Sequence, residues 1–463
     1  MRRKLLGHPT VSTDLIALTL MLLLWYVAGT PSVLAVSLPA FKKADPALHP
    51  FMGWSSWSAI RVKVDAHIVK AQARVMVARL KKFGYDYVNI DAGWNVDASR
   101  QLEYDRYGRP VPDPKKFPGG MAPLASWLHH HGLKLGIYLR PGMAESPYKA
   151  NDPIFGTHYT ARQIVHKHSK GDTGMTKQTR SYMLNFGNPG AMAYLQSCAD
   201  LYASWGVDYI KLDYVGPSYR RGGRYLGPDC RSEVAHFALA LSRCGRPIWL
   251  ELSFNLNFKY AAFWAKYANG WRTNGDIESY NKKKDLTSWK KVMARFKSNA
   301  KWAPYAGPGH WNDFDSLDIG NGKHDGLTPD ERQTVMIFWC IECSPLCLGA
   351  DLTHLTNGDF KIITNRAAIA IDQAGHPATP LSQKTPQQVW VIHNADGSCT
   401  VGMFNLDKRP EQVSVDWRQL ALAGPAATVK DLWAERNLGT FSKGFSATLP
   451  AHGSRLLRIT PAK

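Results

Sequence analysis

The chain has 463 residues, of which 44% are hydrophobic and 20% charged, and carries a formal net charge of +20. That length exceeds one small domain, and the apolar share excludes a disordered chain. The basic excess raises nucleic acid as a partner. Outside RRGGR at 220–224 and KKKD at 282–285, however, the Lys and Arg residues are scattered, with no recognition helix or aromatic RNA motif. A solvated basic surface is expected instead.

In chain order, the start MRRKLLGHPTVSTD is basic, and an apolar run of signal-peptide length follows from Leu15, ending near SVLA with Val33 and Ala35 before a cut. Residues 1–35 read as a secretory signal peptide, with an uncleaved anchor as the alternative. Export to the periplasm or beyond is expected. No later run reaches membrane-spanning length, so no stable insertion is expected after removal. A polar linker covers 36–48.

A strand–helix rhythm then begins. FMGWSSW at 51–57 is extended, 66–84 helical, 85–94 a strand, 121–132 a helix and 133–142 a strand. Helix 191–206 leads to strand 207–215, and HFALALSRCG at 236–245 leads to strand 246–254. A shorter strand ends in 270–276, 286–300 is helical, and 310–321 is a strand end and loop. ERQTVMIFWCIE is a helix and SPLCLGADL the last strand. These eight strands are apolar on both sides, as when helices cover a parallel sheet. The pattern predicts a (β/α)8 TIM barrel over 49–374. From 375 to 463 the period shortens to alternating runs between Gly, Asp and Pro turns. That predicts a C-terminal antiparallel β-sandwich domain bracing the barrel. The polar segment 144–185 reads as a long loop over the barrel mouth.

Seven cysteines are present. CIECSPLC, with Cys340, Cys343 and Cys347, lacks partners at finger spacing and lies in an apolar run, so buried thiols are expected rather than a metal site. One disulfide stays open.

Barrel chemistry sits where strands end. There the sequence places Asp91, Tyr138, Arg140, Lys211, Asp213, Glu251, Arg272, Asp276, Asp313, Asp315 and Asp351, with Trp54 and Trp57 after the first strand and Trp94 after the second. Carboxylates grip sugar hydroxyls, indoles stack on sugar C–H faces, and glycosidic cleavage needs two carboxyl groups flanking the bond. Asp213 is the expected nucleophile. Lys211 is two residues earlier, on the same side of the strand, and favours its ionised form. Asp276 is the expected acid/base. Asp208 faces the opposite side and reads as structural. Asp91, Asp313 and Asp315 are candidates for substrate hydroxyls. Glu251 is another, with a core salt bridge as its alternative, and a bridge within its own loop is the alternative for Asp351. A structural hydrogen bond is expected for His310, and a surface position at the negative end of a helix for His129, His130 and His131.

FMGWSSW, YVNIDAGW, WGVDYIKLDY, WRTNGDI, GPGHWNDFD and SPLCLGADL resemble, in order, blocks of glycoside hydrolase family 27, the α-galactosidases and α-N-acetylgalactosaminidases of the melibiase clan. The resemblance covers residue 50 to the C-terminus. It implies a retaining mechanism with no cofactor or metal, Asp213 as nucleophile and Asp276 as acid/base. It puts sugar contacts on Trp54, Asp91, Tyr138, Lys211, Glu251, Arg272 and Asp315. It implies hydrolysis of terminal α-D-galactosyl residues of a glycan or oligosaccharide. Three departures bear on this. Ala92 and Gly93 stand where the family has a second aspartate and a cysteine. Tyr214-Val215 follows the nucleophile where a cysteine is usual, so the typical loop disulfide is absent. Ser316 replaces a methionine and is expected to alter the pocket wall. Because the second aspartate grips the hydroxymethyl O6 of galactose, Ala92 raises β-L-arabinopyranose, the same hydroxyl arrangement without that group, as the alternative substrate. A buried hydroxymethyl left unpaired costs about 1–3 kcal/mol. A non-catalytic carbohydrate-binding protein is a further alternative, and Glu251 argues against an N-acetylated substrate.

Overall fold

The computed structural model describes residues 47–166, 181–219, 225–226, 229–281 and 285–462. The signal-like segment, nearly all of the linker, RRGGR, Lys282–Lys284 of KKKD and KHSKGDTGMTKQTR (167–180) of the mouth loop lie outside the described residues.

Eight strands form one parallel sheet: β1 (Met52–Ser55), β2 (Tyr87–Ile90), β3 (Lys134–Leu139), β4 (Val207–Leu212), β5 (Trp249–Leu252), β6 (Gly270–Arg272), β7 (Trp311–Asp313) and β8 (Leu346–Leu348). Neighbours in sequence are neighbours in the sheet, and β1 also pairs with β8. Between β7 and β8 the ring closes through Leu317, whose N–H donates to Cys347 O at 2.7 Å and whose carbonyl accepts from Gly349 N at 3.0 Å. The sheet is therefore a barrel. Helices follow the strands: α1 (Ala66–Val75), α2 (Met121–His130), α3 (Pro189–Trp205), α4 (Arg231–Arg243), α5 (Ala261–Tyr267), α6 (Trp289–Asn299), α7 (Pro329–Ile341) and α8 (Arg366–Ala374). Their ends are written in the sequence. Asp65 caps α1 by accepting from Ile68 N. Thr328 and Glu331 form a capping box on α7, with Pro329 at its first turn, and Gly206 ends α3 at φ 85°. The mouth segment is less irregular than expected, holding a short helix, Glu145–Ala150, and an antiparallel pairing of Met143–Ala144 with Ser181–Tyr182.

Inside the barrel, side chains alternate by strand parity. Phe51, Tyr87, Tyr209, Trp249 and Trp311 pack together as a floor. Two residues further along β4 comes Lys211, then Asp213; along β5 come Glu251 and Ser253; along β7, Asp313 and Asp315. The third inward residue of each series reaches the mouth. Gly270 leaves room for the Glu251 carboxylate, since a Cβ there would lie 2.1 Å from Oε2.

After α8 come β9 (Thr379–Pro380), β10 (Gln387–His393), β11 (Cys399–Asn405), β12 (Glu411–Asp416), β13 (Ala426–Asp431), β14 (Arg436–Ser442), β15 (Gly444–Leu449) and β16 (Ser454–Pro461). Six form an antiparallel sheet in the order β9-β10-β11-β16-β13-β14, and β12 pairs with β15 in a second. Val391, Val401, Met403, Val413, Val415, Trp417, Leu457 and others fill the space between. The sandwich sits on α6 and α7: Phe338 stacks on Phe296 at 3.6 Å and meets Trp390 edge-on at 5.3 Å, and Thr334 Oγ1 donates to His452 O at 2.7 Å.

None of the seven cysteines is joined to another in a disulfide, and Cys340 and Cys343 are buried. Asp208 does face the helices, bridging Arg246 and His129. His129 thus hydrogen-bonds Asp208 Oδ2 at 2.7 Å and is half-buried rather than a surface group, because the α3–β4 turn at Gly206 brings Asp208 under α2. Asp351 accepts from Gln72 and Thr353 and caps a turn. No helix among the described residues is long and apolar enough to cross a membrane.

Candidate active site

At the ends of the barrel strands lies a cavity of about 450 Å³ lined by Trp57, Asp91, Ala92, Tyr138, Lys211, Asp213, Tyr214, Phe254, Arg272, Asp276, Glu278, Tyr280 and Asp315. Seven of the nine residues predicted as catalytic or sugar-binding line it. On one side, Lys211 Nζ binds Asp91 Oδ2 at 2.7 Å, and Asp91 Oδ1 accepts the Ala92 N–H at 2.7 Å. Asp91 is thereby fixed against the barrel wall. Gly93 follows at φ 114°, and a Cβ there would lie 2.7 Å from Val62 Cα, so this turn demands glycine. On the other side Arg272, 2% exposed, binds Asp315 Oδ2 at 2.7 Å and Asp276 Oδ1 at 3.0 Å. Asp315 Oδ2 also accepts the Ile277 N–H at 2.7 Å, and Asp315 N–H donates to Asp313 Oδ1 at 2.6 Å. Behind them, Arg295 on α6 donates to Phe314 O and Gly275 O, and Trp339 on α7 donates to Asp315 O.

Three non-glycine residues at strand ends have left-handed backbones: Tyr214 (φ 59°), Phe254 (φ 120°) and Asp315 (φ 82°). Such strain concentrates where surrounding structure fixes a site. It turns all three side chains onto the cavity. The Tyr214 and Phe254 rings meet at 5.2 Å, giving an apolar wall opposite the acids.

Burial raises the Asp213 carboxyl, Lys211 pulls it down and Asp276 pushes it up again, with a net rise from its ordinary value. Burial would also raise Asp276, but the Arg272 guanidinium and the Tyr280 hydroxyl outweigh it and bring it down to about 2. Glu278 is buried beside Asp315 and Asp276 and is pushed up to about 7, although Ser58 Oγ donates to it at 2.5 Å. Carboxylate oxygens of Asp276, Glu278 and Asp315 lie within 4.8 Å of one another. Arg272 already binds two of these acids, so an internal cation meets the cluster's charge.

A family model described as alpha galactosidase A matches residues 49–147 and 154–374, and one described as the alpha galactosidase C-terminal beta sandwich domain matches 384–459. Among solved structures, a β-L-arabinopyranosidase of family GH27 from Geobacillus stearothermophilus is 31% identical with a TM-score of 0.80, covering 90% of this chain and 97% of that one. A variant of that enzyme in complex with arabinose aligns with a TM-score of 0.81 at 31% identity, covering 90% and 98%. Among curated proteins, alpha-galactosidase 3 of Arabidopsis thaliana is 30% identical over 422 residues, covering 89% of this chain and 82% of its own. The chain belongs to glycoside hydrolase family 27. It is a retaining glycosidase of the melibiase clan.

Two residues expected to touch sugar in this family 27 enzyme are placed elsewhere. Trp54 is fully buried and donates Nε1–H to Ala350 O at 2.7 Å. It pairs in register with Val88 and Leu348, the parity that faces the helices, whereas Trp57 begins a short helix that turns its ring to the cavity. Glu251 is 1% exposed, accepts from Trp249 Nε1 at 2.9 Å and does not line the cavity. It is the middle inward residue of β5, one level below the mouth; Lys211, at the corresponding place on β4, gets there only through its longer stem. Ser316, expected on the pocket wall, is buried away from the cavity. Reasoning from sequence missed Glu278, Tyr280 and Phe254. Glu278 and Tyr280 follow Asp276 by two and four residues in GDIESY, and that spacing was the available signal.

Proposed function

We propose that this retaining glycosidase hydrolyses terminal β-L-arabinopyranosides in preference to α-D-galactosides, with Asp213 as nucleophile and Asp276 as acid/base. The observation that carries the sugar preference is Ala92. Its methyl group lines the cavity beside Asp91, where a hydroxymethyl group would need an acceptor. A sugar without that group loses nothing there, whereas a buried unpaired hydroxyl costs about 1–3 kcal/mol. Similarity to the Geobacillus arabinopyranosidase supports the same reading. The curated relatives named α-galactosidases favour the second reading, a galactosidase.

In this reading Asp91, Lys211, Arg272 and Asp315 hold the sugar. The Asp213 carboxylate attacks the anomeric carbon while the Asp276 carboxyl gives its proton to the departing glycosidic oxygen. Water then attacks the glycosyl–Asp213 ester, Asp276 takes its proton, and Asp213 is released with the anomeric configuration retained. The basic start and the apolar run from Leu15 support work outside the cytoplasm, which N-terminal sequencing of the mature protein would check.

The test is turnover of p-nitrophenyl β-L-arabinopyranoside, α-D-galactopyranoside and N-acetyl-α-D-galactosaminide. The first should have the highest kcat/KM, and Asp213→Asn should abolish all turnover. A higher kcat/KM on the galactoside would overturn the sugar assignment. Binding without turnover across the panel would overturn catalysis.

A further inference from the structure

We infer that Tyr280 is the positioning residue for Asp276 and, with Trp57, forms the leaving-group side of the cavity. The inference rests on Asp276 being the acid/base. Asp276 has two carboxylate oxygens. Oδ1 is bound to Arg272, which is 2% exposed and held in turn by Asp315, so that contact is fixed. Proton delivery to the glycosidic oxygen is therefore left to Oδ2. That oxygen accepts the Tyr280 hydroxyl at 2.5 Å. The glycosidic oxygen and the Tyr280 hydroxyl need the same place.

Of the two partners of Asp276, Tyr280 is the one able to move. It is 55% exposed. Its oxygen also accepts from Trp57 Nε1 at 3.2 Å, which gives the hydroxyl a second anchor when it yields Oδ2. The Arg61 guanidinium lies 5.0 Å from the Trp57 ring centroid and 4.9 Å from that of Tyr280. Among the described residues, buried Arg61 Nη1 has no hydrogen-bond partner. The Trp57 and Tyr280 rings beside the acid suit a second sugar ring or an aryl group through stacking, and Arg61 holds the two rings together from behind.

The hydroxyl acts on both half-reactions. By donating to Oδ2 it favours the Asp276 carboxylate, the form that accepts the proton from water in the second half. In the first half the arriving glycosidic oxygen displaces it; Asp276, freed of that donor, takes a proton from solvent and passes it to the glycosidic oxygen as the C–O bond breaks and the anomeric carbon bonds to Asp213. Around Asp276 the other charged and titratable groups are Arg272 on β6, Lys211, Asp213 and Tyr214 at the end of β4, Glu278 on its own loop, Asp315 after β7, and Lys291 and Arg295 on α6. None changes in the variants below.

The experiment compares wild type, Tyr280→Phe, Tyr280→Ala and Asp276→Asn, with melting curves to establish folding. Substrates are aryl, disaccharide and methyl glycosides of the preferred sugar. In Tyr280→Phe, loss of the donor should move the alkaline limb of the kcat/KM–pH profile upward by roughly one pH unit, the equivalent of 1.36 kcal/mol. In Tyr280→Ala, KM should rise about fivefold for the disaccharide and aryl glycoside, as expected for one lost stacking contact of about 1 kcal/mol, while the methyl glycoside changes little. An unmoved limb, or equal KM increases on all three substrates, would overturn the inference. Asp276→Asn separates the underlying reading. It should spare a dinitrophenyl glycoside, whose leaving group needs no proton, relative to the methyl glycoside. Equal losses on those two would overturn the role of Asp276 and the inference with it.

Discussion

Replacing Ala92 by Asp should reverse the sugar preference. The new carboxylate would rise from the cavity wall next to Asp91, whose own charge is already met by Lys211 at 2.7 Å. Residue 92 is half-buried, so the added charge keeps part of its hydration. With a galactoside it would accept a hydrogen bond from the hydroxymethyl group, and a bond to a charged acceptor contributes about 1.5–3 kcal/mol. At 1.4 kcal/mol per factor of ten, kcat/KM for the galactoside should rise roughly 10- to 100-fold. An arabinopyranoside offers nothing to that carboxylate and covers it, so its kcat/KM should fall by about tenfold, the lower end of the cost of an unsatisfied charge. The assay is the ratio of kcat/KM for the two p-nitrophenyl glycosides at one pH, with melting temperature as a control. An unchanged ratio in a folded Ala92→Asp protein would refute the idea that position 92 reads the hydroxymethyl group.

Two further predictions concern stability. Glu278 is raised from 4.5 to about 7 in the folded protein, so the folded state binds more protons than the unfolded one in that window. Its contribution is complete below pH 4.5 and is lost as pH rises through about 7. Glu278→Gln keeps an acceptor for Ser58 and cannot ionise, so its melting temperature should gain on wild type steadily between those pH values; a constant difference would refute the assignment. Phe338→Ala would open a cavity between α7 and the sandwich, where the ring is fully buried against Phe296 and Trp390. It should cost about 3–5 kcal/mol, measured by denaturant unfolding; a loss under 1 kcal/mol would mean the sandwich is not braced there.

The barrel was legible because its strands are apolar on both faces and helix-patterned segments separate them; YVNI and YIKL need no tertiary knowledge to be read as strands. Closure was not, since it rests on Leu317 meeting Cys347 and Gly349, a pairing without local signature. Asp91, Lys211, Asp213, Arg272, Asp276 and Asp315 come together around one cavity because strand ends in a barrel converge. Depth along the strand was the hidden variable. Glu251 sits one level too low and Trp54 has the wrong parity, while Trp57 is turned in by a helix that starts there. Phe254 and Tyr214 reach the cavity through left-handed backbone conformations, which their residue types do not announce.

The sandwich rests on α6 and α7, and those same helices supply Arg295 and Trp339 to the carbonyls of Gly275, Phe314 and Asp315. Trimming the chain after α8 would strip Phe296 and Phe338 of their cover and loosen the loops on which the acids ride. The catalytic half therefore has no independent existence as a smaller enzyme: shortening it for engineering would require a replacement lid for those two rings before any activity could return.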